Sequence, residues 1–146
     1  MAKNNVYASA LLSLVFNNTA MPNVGNAGGL QPSSVAGSLY LSLHTADPTA
    51  SGTQSSSEVT YTGYARVAVA RSSAGFTISG NSVNLTSLVA FPAGTGGSGT
   101  ATFFGIGTAA SGAGSLLYSG AISPSIVTGN GITPEITTAS NLVTES

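Results

Sequence analysis

The stretch Gly37-Ser-Leu-Tyr-Leu-Ser-Leu-His44 alternates without a break: Leu39, Leu41 and Leu43 face one way, and Ser38, Tyr40, Ser42 and His44 the other. A period of two marks a strand with one buried face. The same period recurs outward from it. Tyr64 to Ala70 sets Ala65, Val67 and Val69 inward and Arg66 outward, and Phe76-Thr-Ile78 and Val83-Asn-Leu85 flank the hairpin-type connection Ser79-Gly80-Asn81-Ser82. Val89-Ala-Phe91 stops at Pro92, and Ala93 to Gly99 reads as a flexible glycine-rich tip. Ala101 to Gly107 and Leu116 to Ile122 form a further pair, and a last stretch around Ile132 to Ile136 follows the Gly129-Asn130-Gly131 turn. About eight short strands, with turn residues between them and no helical period among them, predict an all-β chain: an antiparallel β-sandwich or jelly roll.

One segment departs from this rhythm. From Asn5 to Phe16 the apolar Tyr7, Leu11, Leu14 and Val15 recur at spacings of three and four, so a short N-terminal helix is expected, with Asn4 and Asn5 suited to its cap. Ser9 and Ser13 interrupt the apolar run, which argues against a secretory signal. Asn23 to Ser34 has no period and reads as a loop or arm. The expected organisation is therefore a helix and arm over residues 1–35, a β body over 36–137, and a polar tail over 138–146 that hangs free.

Composition narrows the function. Charged residues are 5% of the 146, against about 25% in an ordinary soluble domain, and the net charge is −1. Lys3, Arg66 and Arg71 are the whole basic complement, too few for the multi-cation footprint that binds phosphate backbones, so nucleic acid is not an expected partner. No apolar run approaches the length of a spanning helix, and no membrane association is expected. With no cysteine there is neither a disulfide framework nor a thiolate metal site.

The chemistry-bearing residues are equally few: His44, Asp47, Glu58, Glu135 and Glu145. His44 and Asp47 sit close in sequence and, with a serine, could be drawn as a triad. No G-x-S-x-G elbow accompanies them, and the simpler reading has His44 hydrogen-bonding at a strand end while Asp47 caps the turn before Pro48. The carboxylates are dispersed and lack metal-ligand spacing, so neither a metal nor a cofactor is expected. Gly94-Thr-Gly96-Gly97 and Gly105-Ile-Gly107 lack the lysine and following helix of a phosphate loop and read as turn or strand glycines. Asn17-Asn18-Thr19 and Asn84-Leu85-Thr86 are glycosylation sequons without a secretion context. Arg66 or Arg71 could pair with Glu58, and a solvated surface pair is the expected form. No catalytic residue is assigned, and the chain is expected not to be an enzyme.

What remains is the surface. A body covered in Ser, Thr, Ala, Asn and Gly carries little self-repulsion and packs readily against copies of itself or a partner. Strand edges, the N-terminal segment, the tail and the tyrosines Tyr7, Tyr40, Tyr61, Tyr64 and Tyr118 are the available contact elements.

Three phrases carry a resemblance: Leu39-Tyr-Leu-Ser-Leu-His-Thr-Ala-Asp-Pro48; Glu58-Val with Gly63-Tyr-Ala-Arg-Val-Ala-Val69; and Phe104-Gly-Ile-Gly107 with Ser115-Leu-Leu-Tyr-Ser-Gly-Ala121. Together they resemble a family of small virion proteins of tailed bacteriophages that covers tail and minor structural proteins as well as capsid cement (decoration) proteins. The chain departs from that pattern in lacking a Trp near Ala101-Thr-Phe-Phe104 and in its long loop from Asn18 to Ser34. The resemblance implies a structural protein without catalytic residues. Its expected place is the capsid exterior, bound to the major capsid protein as dimers or trimers, with residues 1–35 making much of the contact. A tail, neck or fibre component is the first alternative, and a host-surface or carbohydrate-binding module using Tyr61 or Tyr64 is the second.

Overall fold

Asn4 stands in extended backbone, and its Oδ1 accepts from the Val6 N–H at 2.8 Å, which caps the start of α1 (Asn5–Asn17). Asn18 ends the helix by turning left-handed at φ 51°. The computed structural model describes residues 2–138 and 142–146, and in them α1 is followed by nine strands. These are β1 (Ser38–His44), β2 (Val67–Ala70), β3 (Phe76–Ser79), β4 (Ser82–Leu85), β5 (Val89–Ala90), β6 (Ser98–Gly107), β7 (Leu116–Gly129), β8 (Glu135–Ile136) and β9 (Val143–Thr144). They form sheets in the orders β2-β1-β6-β7, β3-β4-β9 and β5-β8, and the β1–β6, β3–β4, β4–β9, β5–β8 and β6–β7 pairs run antiparallel. The all-β antiparallel architecture expected from the period-two stretches is the one adopted, with the single short helix at the N-terminal side.

The chain makes two compact units, each assembled from separated stretches. Unit 1 comprises Met1–Ser38, Val69–Ser87 and Thr137–Ser146; unit 2 comprises Leu39–Ala68 and Leu88–Ile136.

In unit 1, α1 packs on the β3–β4 hairpin, with Phe16 edge-on to Phe76 at 5.0 Å between ring centroids. The buried stripe is Ala8, Leu12 and Phe16, not the expected Tyr7, Leu11, Leu14 and Val15; Tyr7 is 46% exposed. The helix is apolar on nearly every side and carries no charge, so periodicity singles out no face, and the largest wholly apolar side chain, Phe16, takes the core while Tyr7 keeps its hydroxyl near water. Its last carbonyls are met by Arg71, which donates from Nη2 to Leu14 O at 2.7 Å and from Nε to Val15 O at 2.6 Å. Arg71 is thus a helix C-cap and not a partner of Glu58. The periodless loop closes on itself: Met21 and Leu30 exchange backbone hydrogen bonds of 2.9 Å, and Asn18 clasps the Ser33 backbone through both its amide atoms.

The expected free tail is corrected in part. Residues 139–141 of it lie outside the described residues, but Val143 and Thr144 extend the hairpin sheet opposite Val83 and Ser82. Asn81 fixes the strand from both sides, accepting the Glu145 N–H on its carbonyl at 2.8 Å and donating Nδ2 to Glu145 O at 2.7 Å. The Glu145 carboxylate also pairs with Lys3. Val143-Thr144 has good strand residues but is too short to signal a strand alone; the edge of β4 recruits it.

In unit 2, β6 and β7 form the longest pairing, and β1 lies on the other side of β6 with His44 opposite Phe103 and Tyr40 opposite Gly107. The supposed flexible tip at 93–99 is tied down. Gly94 donates to Ile132 O at 2.9 Å and accepts from the Gly131 N–H at 2.8 Å, while the Gly96 carbonyl takes the Thr62 N–H at 3.0 Å. A Cβ on Gly94 would stand 2.0 Å from the Gly129 carbonyl, so this glycine serves close backbone approach and not mobility.

Candidate functional site

His44 and Glu58 of unit 2 gather with Tyr64 and Arg66 behind the end of β1. Leu39, Leu41 and Leu43 are buried as the alternation requires, but Ser42 and His44, expected on the solvent face, are also at 0% exposure. They are covered because the loop of residues 45–57 folds over them. The His44 Nδ1 lies 2.7 Å from the Ser56 carbonyl, which can only accept, so Nδ1 carries the proton and Nε2 accepts from the Ser42 hydroxyl at 2.8 Å. Burial is the main influence on this imidazole and lowers its pKa below the ordinary value, outweighing the Ser56 hydrogen bond and the Glu58 charge.

The packing explains the Phe104-Gly-Ile-Gly107 phrase. A Cβ on Gly105 would fall 2.6 Å from both His44 Nε2 and Ser42 Oγ, and one on Gly107 would fall 2.1 Å from the Gln54 side-chain carbon. The two glycines are the floor on which Ser42, His44 and Gln54 lie. Gln54, also at 0% exposure, accepts from the Ala109 N–H at 2.9 Å and so ties the first loop to residues 108–115.

Beside this cluster stands an ion pair. Arg66 presents Nε and Nη2 to the two Glu58 oxygens at 2.7 and 2.8 Å, and donates further to Ala109 O at 3.0 Å and Gly112 O at 2.7 Å. Its side chain is 3% exposed and that of Glu58 16%, so the expected solvated pair is corrected: this is a forked one with the guanidinium buried and the carboxylate half-buried. Arg66 points inward and Ala65 is exposed, the reverse of the expected alternation, because the strand begins only at Val67. The Tyr64 hydroxyl donates to Glu58 Oε1 at 2.8 Å while accepting the Leu43 N–H at 3.1 Å. Its burial, above all, pushes the phenol pKa up, whereas the Glu58 hydrogen bond and charge are the chief reasons the Arg66 guanidinium is held still more firmly charged.

Chemically, the arrangement orders loops. Ser42 and His44 have the contact of a nucleophile and base, but the third partner is a backbone carbonyl and neither side chain reaches solvent. Asp47 does not join them: it is exposed and accepts the Thr49 N–H at 2.9 Å within its own turn, as the simpler reading held. Of the suggested sugar platforms, Tyr61 is a core residue, 4% exposed and donating to Pro92 O at 2.8 Å, and Tyr64 is half-buried, edge-on to Tyr61 at 5.4 Å with its hydroxyl turned to Glu58. Sequence reasoning missed Gln54, which has no periodic or charge signal.

The other notable surface of unit 2 is β7. It is the last strand of its sheet, fourteen residues long and without a charged residue, and none of its side chains is buried before Thr128. Leu117 and Val127 are 40% and 59% exposed. Sequence reading placed its first half and stopped at Ile122.

Among the described residues there is no group of three or more potential metal ligands, and no helix is long and apolar enough to cross a membrane. No curated protein matches the chain. A family model does match, over residues 2–144, and it identifies a phage structural protein: the chain belongs to the family described as Podophage GP4 fiber I protein gp80.

Proposed function

We propose that this chain is a non-catalytic structural subunit of the phage virion, working as part of a tail fibre. The observation that carries the reading is the near end-to-end match, residues 2–144, to a family described as a fibre protein. Two features support it. Unit 2 turns His44, Glu58, Tyr64 and Arg66 inward onto loops, where they stiffen the body and present nothing to a substrate. The surface left outside is almost uncharged, which makes repeated close contacts between subunits inexpensive.

A second reading places the chain on the capsid exterior as a cement protein bound to the major capsid protein. Its support is the likeness of residues 39–48, 58–69, 104–107 and 115–121 to the phage virion proteins that include capsid decoration. In that setting the mechanism is linkage: a subunit that binds only the assembled shell stabilises it by its binding free energy, multiplied over many copies.

Copy number in purified particles separates the two. A small symmetric number per particle, with gold-labelled antibody at the tail vertex, supports the fibre; a simple fraction of the major capsid protein, with label over the whole shell, replaces it with cement. Absence from washed particles would remove both.

A further inference from the structure

Among the described residues no strand pairs with the outer edge of β7. An edge strand presents a row of backbone donors and acceptors, and proteins that remain monomeric blunt such edges with charge, proline or brevity. The run Leu116-Leu-Tyr-Ser-Gly-Ala121 has none of these. Proline comes only afterwards. In the β6–β7 register Ala101 opposes Ile126 and Phe103 opposes Ala121, so Ile122 to Ser125, with Pro124 among them, bulge out opposite Thr102 alone. The open edge is therefore a six-residue regular segment with a stop at its C-terminal end.

We infer that Leu116–Ala121 pairs antiparallel with the same segment of a second copy, joining two four-stranded sheets into one of eight strands. Three observations select a second copy of this strand as the occupant. The segment is uncharged, so its partner must bring no unpaired charge, and β7 meets that condition itself. The opposite edge of the same sheet, β2, is only four residues long, so a β7–β2 contact would leave part of the run unpaired and, being head-to-tail, would leave every copy a further edge to fill unless a ring closed. Pairing β7 with itself matches the lengths and closes at two. The antiparallel two-fold axis must stand normal to the sheet, which keeps each face of the strand on its own side; it therefore passes through Tyr118 or Ser119. Either register leaves Pro124 beyond the ladder and sets the row Leu117, Ser119, Ala121 beside its own copy, covering the 40% exposed Leu117. The pairing is a property of the chain itself and stands whether the subunit belongs to a fibre or to the shell.

The full chain has no cysteine, so a single introduced thiol reports cleanly. Ser119→Cys, treated with a short bis-maleimide, is expected to give a covalent dimer well above the yield from Ser51→Cys in the exposed loop after Asp47. Ser119→Lys is expected to convert a concentration-dependent dimer, measured by sedimentation equilibrium of the wild-type chain, into a monomer whose melting curve matches that of the wild-type chain diluted below its dissociation constant. A wild-type chain that stays monomeric over the accessible concentrations, equal cross-linking at positions 119 and 51, a trimer, or a dimer untouched by Ser119→Lys would each overturn the pairing.

Discussion

β1 and β7 are written in nearly the same letters, Ser-Leu-Tyr-Leu-Ser-Leu-His against Leu-Leu-Tyr-Ser-Gly-Ala-Ile, and they end in opposite environments. β1 lies between β2 and β6 and buries Leu39 and every side chain from Leu41 to His44; β7 lies at the edge and buries none before Thr128. Alternation of small polar and aliphatic residues specifies a strand in both cases. It does not say whether the polar row meets water. That depends on what the rest of the chain sends over it: the 45–57 loop provides Ser56 for His44, and β6 provides a glycine floor. Burial of polar groups is tolerated at β1 because Ser42 and His44 each find a partner there.

The contrast can be tested hardest at Arg66. Arg66→Ala should lower the unfolding free energy by about 3 kcal/mol or more, because it strands the Glu58 carboxylate among the loops it held; urea denaturation measures it. Next comes the floor itself. Gly105→Ala pushes a methyl group into His44 and Ser42 and should cost about 1–3 kcal/mol, seen as a lower melting temperature, with little further loss when His44→Ala is added to make room.

Acid should act on the same place. Burial depresses the His44 pKa in the folded state, so the unfolded chain binds the proton more readily. The His44 contribution to stability is therefore full above the unfolded value of about 6.5 and declines as pH falls below it toward the folded pKa. Urea midpoints at pH 7.5 and pH 5 should differ more for wild type than for His44→Gln. At β7 the same measurements should barely respond: Ser119→Lys should shift the stability of the single subunit by no more than about 0.5 kcal/mol. A β7 variant as damaging as Gly105→Ala would erase the distinction between the two strands.

The sequence made the strands legible and their surroundings much less so. The β3–β4 hairpin announced itself through Gly80-Asn81, and the inward leucines of β1 through their spacing, because these depend on residues two to four apart. The Glu58 partner of Arg66 is legible eight residues away, but its burial is not, because the carbonyls that enclose it belong to Ala109 and Gly112, and no local period encodes a contact across more than forty residues. The face of α1 was misread for lack of contrast, since a helix apolar nearly all round has no polar side to define the buried one. In the candidate site, Gly105 and Gly107 were visible as strand glycines, but their purpose appears only when His44 and Gln54 lie across them.

The pairing of β9 with β4 sets an order of events during synthesis. The two strands lie in different stretches of the chain, and the sheet of unit 1 has its third strand only after residues 143–144 have left the ribosome. Until then the β4 edge at Ser82 and Val83 stays open in the nascent chain. Completion of this unit thus waits until residues 88–136 of unit 2 have been made, and contacts that need a finished unit 1 become available only after that stretch has emerged.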